Sequence, residues 1–134
     1  PFAEKNNVTI VLETDLSPQD FKEFLTEFNY PGIMANYDSG NSASLGYNSG
    51  EELTELKKWI KNVHVKDRKF QGTTVPFGMG DTNFDLFFSS LSKINYSGDL
   101  IIQGARYKDK EITPEKTCKI YQEFIKQNVD KHYI

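Results

Sequence analysis

Apolar positions along the chain change their period several times, and those changes delimit its elements. Val8-Thr9-Ile10-Val11-Leu12 is a β-branched, nearly continuous apolar run, which predicts a strand buried on both faces as in a parallel sheet. It stops at Glu13. Ser17-Pro18 then reads as a helix start, with Ser17 suited to the N-cap and Pro18 to the first turn. Phe21, Phe24, Leu25 and Phe28 recur at helical spacing until Tyr30-Pro31-Gly32 breaks the pattern. Ile33 to Tyr37 predicts a second strand ending at Asp38, and Leu53, Leu56, Trp59 and Ile60 form the stripe of a second helix. Val63-His64-Val65 predicts a third strand, with Val63 and Val65 on one face and His64 and Lys66 on the other. Phe84, Leu86, Phe87, Leu91 and Ile94 mark a third helix, and Tyr96-Ser97-Gly98 turns into the strand Leu100-Ile101-Ile102, which ends at Gln103. Thr113-Pro114-Glu115 opens a last helix with Ile120, Tyr121, Phe124 and Ile125 along one side.

The order is strand then helix, four times, which implies a parallel sheet with right-handed crossovers. Four such units fit a small open sheet or half of an eight-stranded (β/α) barrel. Loop lengths favour the barrel. The polar stretch from Ser39 to Tyr47 and the stretch from Lys69 to Asp81 both follow strands and are predicted as long loops, whereas the connections after helices are short. The expected fold is therefore α/β, four consecutive βα units amounting to half of a (β/α)8 TIM barrel.

Composition narrows the function. The 134 residues suit one domain, and a net charge of −3 with both signs interspersed predicts no nucleic-acid partner. No apolar run is long enough for a membrane span and no signal-peptide layout opens the chain, so the expectation is a soluble, cytoplasmic protein without a membrane partner. The single cysteine, Cys118, falls in a helical pattern and is read as a helix-face residue. The chain opens at Pro1 without a methionine, which suggests a piece of something longer.

Each strand ends in a residue able to ligate a divalent cation: Glu13, Asp38, His64 and Gln103. A parallel sheet brings such ends to one side. Two carboxylates, an imidazole and an amide oxygen suit Mn²⁺, Mg²⁺, Co²⁺ or Zn²⁺. Taken singly, Glu13 and Asp38 equally suit helix caps and His64 a satisfied polar role; the coincidence of four ends carries the metal.

Leu12-Glu13, Asp38-Ser39-Gly40-Asn41, Val63 to Arg68, Val75 to Asp81 and Tyr96 to Gln103, in that order and spacing, resemble the xylose-isomerase-like (β/α)8 barrels. Within these the resemblance is to the sugar-phosphate isomerase/epimerase group that includes L-ribulose-5-phosphate 3-epimerase. It covers essentially the whole chain and implies a single partial domain, residues 1–134, holding strands five to eight, the C-terminal half, with their helices. It further implies a metal held by Glu13, Asp38, His64 and position 103, a sugar or sugar-phosphate substrate, and Glu13 and residue 103 as the acid/base pair working through an enediolate. Gln103 departs from the glutamate of the pattern, and an amide cannot accept a proton near neutral pH. One-base isomerisation from Glu13, a base supplied by Asp67 or by the missing half, and a sugar- or metabolite-binding barrel without catalysis, or an inactive half-barrel fragment, all stay open.

The remaining candidates surround that site. Asn41 stands where the family often has histidine and implies a hydroxyl contact. Lys66 and Arg68 are candidates for anion or hydroxyl contact, or solvated loop residues. Arg106 suits a bidentate phosphate contact or an ordinary surface position. Asp67 is expected to orient His64 as an outer carboxylate, and Gly78 and Gly80 suggest a weak phosphate cradle. Phe21, Phe24, Phe87 and Phe124 are assigned to the core and His132 to solvent. Edge strands near Val8 and Ile101 predict a homo-oligomer or pairing with the missing N-terminal half.

Overall fold

The computed structural model describes residues 2–133. A short helix α1 (Phe2–Lys5) precedes β1 (Ile10–Leu12), followed by α2 (Pro18–Phe28), β2 (Ile33–Asp38), α3 (Ser39–Leu45), α4 (Ser49–Leu56), β3 (Ile60–Val65), α5 (Phe84–Lys93), β4 (Leu100–Ile102) and α6 (Pro114–His132). The sheet runs β1-β2-β3-β4 with every neighbouring pair parallel, so β1 and β4 are its edges, as expected of the two end strands. Four βα units in this order form half of a TIM barrel. No helix among the described residues is long and apolar enough to cross a membrane.

Side chains cap the starts of three helices, Ser17 and Thr113 at the predicted starts and Asn83 at one the sequence marks only by its apolar stripe. Ser17 Oγ accepts from the Asp20 N–H, Asn83 Oδ1 from Leu86 and Thr113 Oγ1 from Lys116, so each supplies an acceptor to a helix end that lacks one. All of the helices that flank the sheet cover one face of it. Ala35, Tyr37, Val63 and Val65 project to that outer face and are buried, against Phe21, Leu25 and Leu56 on one side and Leu53, Phe87, Phe88, Leu91 and Tyr121 on the other. Burying each such side chain contributes about 1.5–3 kcal/mol of transfer free energy. Aromatic contacts bind the late helices together: Phe77 stacks on Tyr121 with centroids 4.0 Å apart, and Phe84 meets Phe124 edge-on at 4.8 Å.

Several expectations are revised. Ser39 to Tyr47 is mostly helix, α3, because the Asp38 side chain accepts the Asn41 N–H at 2.7 Å and caps it, while Gly46 at φ 78° ends it. Helix α4 ends at Leu56, and Trp59 and Ile60 are not on its stripe; Ile60 opens β3, three residues before the predicted start. An extra residue, Lys61, then lets Ala35 pair with Ile60 and Asn36 with Asn62, a bulge that turns Asn62 to the inner face. The strand predicted from Val8 is only Ile10–Leu12 and is not buried on both faces: Ile10 is 44% and Val11 38% exposed, since it is an edge and, among the described residues, no helix covers the inner face. Phe24 is partly exposed and packs on Phe28 rather than in the core, whereas Phe21 and Phe87 are buried and Phe124 packs against the core. His132 is not simply solvated; its Nε2 lies 3.0 Å from Asp85 Oδ1 and its side chain is mostly covered. Cys118 is exposed on α6, as a helix-face residue.

Candidate functional site

Period-two alternation sends Asn36 and Asp38 of β2, and Asn62 and His64 of β3, to the inner face, opposite the helices. Glu13 follows β1 one residue beyond the Leu12–Ala35 pair, which sets it beside Asn36. Three of the four strand-end residues converge: one ligand atom each from Glu13, Asp38 and His64 lies within 4.8 Å of the others. His64 Nδ1 is 3.3 Å from Glu13 Oε2 and 3.7 Å from Asp38 Oδ2. The donor set of two carboxylates and an imidazole, close enough to share one ion, fits a hard or borderline divalent cation.

Both oxygens of Glu13 are held by amides. Asn36 Nδ2 donates to Oε2 at 2.5 Å and Asn41 Nδ2 to Oε1 at 2.7 Å. Asn41 Oδ1 in turn accepts from Lys66 Nζ at 3.2 Å and Arg68 Nη1 at 2.9 Å, and Lys66 Nζ also lies 3.4 Å from Asp38 Oδ2. Lys66 thus sets a cation against Asp38, and Arg68 joins the network through the Asn41 amide. Lys66 is held at both ends: Ser39 Oγ donates to its carbonyl and accepts from its N–H, and its stem crosses Gly40, where a Cβ would sit 2.6 Å from Lys66 Cγ. Behind α3, the Ser42 and Tyr37 hydroxyls donate to the buried Glu52 carboxylate. Burial pushes the Glu52 carboxyl above its ordinary pKa, the two hydroxyls opposing, and raises the Tyr37 phenol well above its own.

Gln103 and Arg106 make no side-chain hydrogen bond to this cluster among the described residues. The Gln103 N–H bonds the Val65 carbonyl at 3.0 Å, and register continues the His64–Ile101 pairing so that Gln103 shares the inner face, but its side chain is exposed. Gly104 lies against the Tyr121 ring, and the Tyr121 hydroxyl donates to the Ala105 carbonyl, which secures the loop that carries Gln103. Arg106 is exposed in that loop.

Two expectations change here. Asp67 does not orient His64: it is 1% exposed and accepts the backbone N–H groups of Gly78 and Gly80 at 2.8 Å and Thr82 at 3.2 Å. Gly78 and Gly80 are accordingly no phosphate cradle, because their amides already hold this carboxylate. A Cβ on Gly80 would sit 2.0 Å from Asp67 Oδ1, which is why glycine stands there. The long loop is a clamped structure, pinned further by Arg68 on the Gly72 carbonyl and by the Arg68–Thr74 bridge. Residues the sequence analysis passed over are Asn36, Asn62, Ser39 and Glu52. The first two carried a signal: each is a polar residue two positions before a candidate ligand in an apolar strand, hence on the ligand's face.

A parallel half-barrel with a carboxylate–imidazole cluster at its strand ends defines a class of protein, and the comparisons agree with it. The family described as xylose isomerase-like TIM barrel matches residues 1–127. The chain belongs to that family. Over 98 residues it is 36% identical to a Haemophilus influenzae protein named "Putative L-ribulose-5-phosphate 3-epimerase SgbU", covering 68% of this chain and 34% of that protein. Its fold matches a xylose isomerase domain protein from Planctomyces limnophilus with a TM-score of 0.79 at 24% identity, over 92% of this chain and 48% of the other. A D-tagatose 3-epimerase-like protein aligns with a TM-score of 0.73 at 21% identity, over 96% of this chain and 51% of the other. An L-ribulose 3-epimerase structure aligns at 0.67 and 18%, over 93% and 46%. The chain therefore spans about a third of the curated relative and about half of the similar structures.

Proposed function

We propose that this chain is the site-bearing, C-terminal half, strands five to eight, of a divalent-metal-dependent epimerase or isomerase acting on a sugar or sugar phosphate. The observation that carries the proposal is the convergence of Glu13, Asp38 and His64 at adjacent strand ends. These three would hold the ion, with Gln103 as a fourth, weaker oxygen ligand. When bound, Mn²⁺, Mg²⁺, Co²⁺ or Zn²⁺ supplies positive charge that stabilises an oxyanion developing on the substrate.

Glu13 is the proton-transfer residue of this reading. Its oxygens are fixed by Asn36 and Asn41, so it is oriented before substrate arrives. In a one-base isomerisation the proton on the carbon beside the carbonyl passes to a Glu13 oxygen and returns from it to the former carbonyl carbon, the hydroxyl proton passing between the two substrate oxygens, with an enediolate between the two transfers. Gln103 has no basic oxygen to serve the opposite face, so the reading favours one-base chemistry from Glu13. Lys66 and Arg68, both bonded to Asn41, are the candidates for contact with hydroxyl or anionic groups, and Arg106, exposed in the loop after β4, for contact with a terminal phosphate. A second reading, a sugar-binding barrel without catalysis, draws on Gln103 and on the Asn41 amide where a histidine could have relayed a proton.

Calorimetric titration with Mn²⁺ tests the metal. One ion per chain is expected, with H64A and D38N each weakening binding more than about tenfold; no heat of binding in wild type would overturn the proposal. Gln103→Glu in the whole protein separates the two readings, since a rise in ketose epimerisation supports the enzyme and persistent inactivity with retained sugar binding supports the binder.

A further inference from the structure

His64 Nδ1 faces three groups: Asn36 Nδ2 at 3.2 Å, Glu13 Oε2 at 3.3 Å and Asp38 Oδ2 at 3.7 Å. A donor and two acceptors compete to set which ring nitrogen carries the proton of the neutral imidazole. The orientation of Asn36 decides the contest. Its Oδ1 accepts from Asn62 Nδ2 at 2.7 Å, and its Nδ2 donates to Glu13 Oε2 at 2.5 Å. Turning the amide over would set two acceptors 2.5 Å apart at Glu13, so Nδ2 stays toward the carboxylate and its second N–H is left for His64 Nδ1. A proton on Nδ1 would meet that donor head-on. The opposing carboxylate oxygens lie farther from Nδ1 than Asn36 does and have closer partners of their own: Glu13 Oε2 and Oε1 accept from Asn36 and Asn41, and Asp38 Oδ2 faces Lys66.

We infer that Asn36, itself oriented by Asn62, is a positioning residue that holds His64 in the Nε2–H tautomer with the Nδ1 lone pair turned into the carboxylate cluster. The number of protons on the ring is unchanged; only their place is chosen. In metal sites the group bonded to one ring nitrogen sets the chemistry of the other. Here the choice is made before any ion binds, by an amide on the ligand side of the ring. The consequence for metal affinity rests on the function proposed above, but the tautomer does not.

The test is a long-range ¹H–¹⁵N spectrum of metal-free, ¹⁵N-histidine-labelled protein at about pH 8, above the ordinary imidazole range. Only two imidazoles contribute, and His132→Gln assigns them. Wild type is expected to show His64 with a protonated Nε2 and a bare Nδ1. Asn36→Leu removes the donor and leaves carboxylates facing Nδ1, so the major tautomer is expected to reverse. Asn62→Leu, at a residue bonded to Asn36 rather than to His64, is expected to move it the same way by less, and serves where Asn36→Leu does not fold. A wild-type proton on Nδ1, or a tautomer indifferent to both substitutions, overturns the inference. Mn²⁺ titrations of the same samples separate the two proposals: a wild type with the expected tautomer and no metal binding ends the proposed function and leaves Asn36 in its role.

Discussion

The two faces of one four-stranded sheet do opposite things. The outer face carries Ala35, Tyr37, Val63 and Val65 buried under helices and is mainly apolar, its polar exception the Tyr37 hydroxyl on Glu52. The inner face carries Asn36, Asp38, Asn62 and His64, is joined by hydrogen bonds, and bears partly exposed Val11 and Ile101 on its edge strands. Residues adjacent in sequence therefore belong to different regimes: Val63 is held by apolar burial and His64 by a network of polar partners. Stability of this chain comes mainly from the outer face, and the site is built on the inner one from groups whose polar demands are met by one another. The described residues leave no buried side-chain nitrogen or oxygen without a partner.

The largest effect expected from this contrast is on the outer face. Phe87→Ala, at a fully buried ring, should cost about 3–5 kcal/mol by the denaturant midpoint with the slope unchanged. Asp67→Ala strips three backbone N–H groups of their acceptor and should cost about 2–3 kcal/mol, with faster amide exchange at Gly78, Gly80 and Thr82. That change separates the loop's rigidity from the inner-face network, because His64 should keep its tautomer.

A pH series sharpens the comparison at Glu52, which sits on the outer side behind α3. Its carboxyl is raised by burial, so the folded state keeps the proton to higher pH than the unfolded chain does. The cost of ionising it is absent below the unfolded pKa, grows as pH rises through the window up to the folded pKa, and is complete above it. Glu52→Gln should flatten that fall in thermal stability between acid and neutral pH. The smallest effect is at the edge: Ile101→Thr, on the open inner face, should change stability by less than about 0.5 kcal/mol, and a loss as large as that of Phe87→Ala would break the comparison.

Much of this organisation was legible in the chain. The strand run from Ile33 to Asp38, the period-two run at Val63 to Val65, the helix starts at Ser17 and Thr113, and the strand-end positions of Glu13, Asp38 and His64 are local features, and the structure keeps them. Helix α3 was missed because its cap, Asp38, was already counted as a ligand and its body is built of small residues with no apolar stripe. Asp67 is expected beside His64 because metal-bound imidazoles usually donate to a carboxylate, whereas its partners lie 11 to 15 residues onward, where only the folded loop brings their N–H groups to it.

By itself the sequence determined the βα order, the parallel sheet and the side on which the strand-end chemistry gathers. These follow from backbone geometry: an alternating strand has two faces, and parallel strands share a C-terminal end. Tertiary structure alone decided how the polar groups pair. A carboxylate, an amide and an imidazole offer several compatible bonds, and which ones form depends on separations of tenths of an ångström between residues far apart in the chain. Asn36 on Glu13 and His64, Asn62 behind it, and Asp67 on its loop are choices of that kind. They set what each of these groups is free to do.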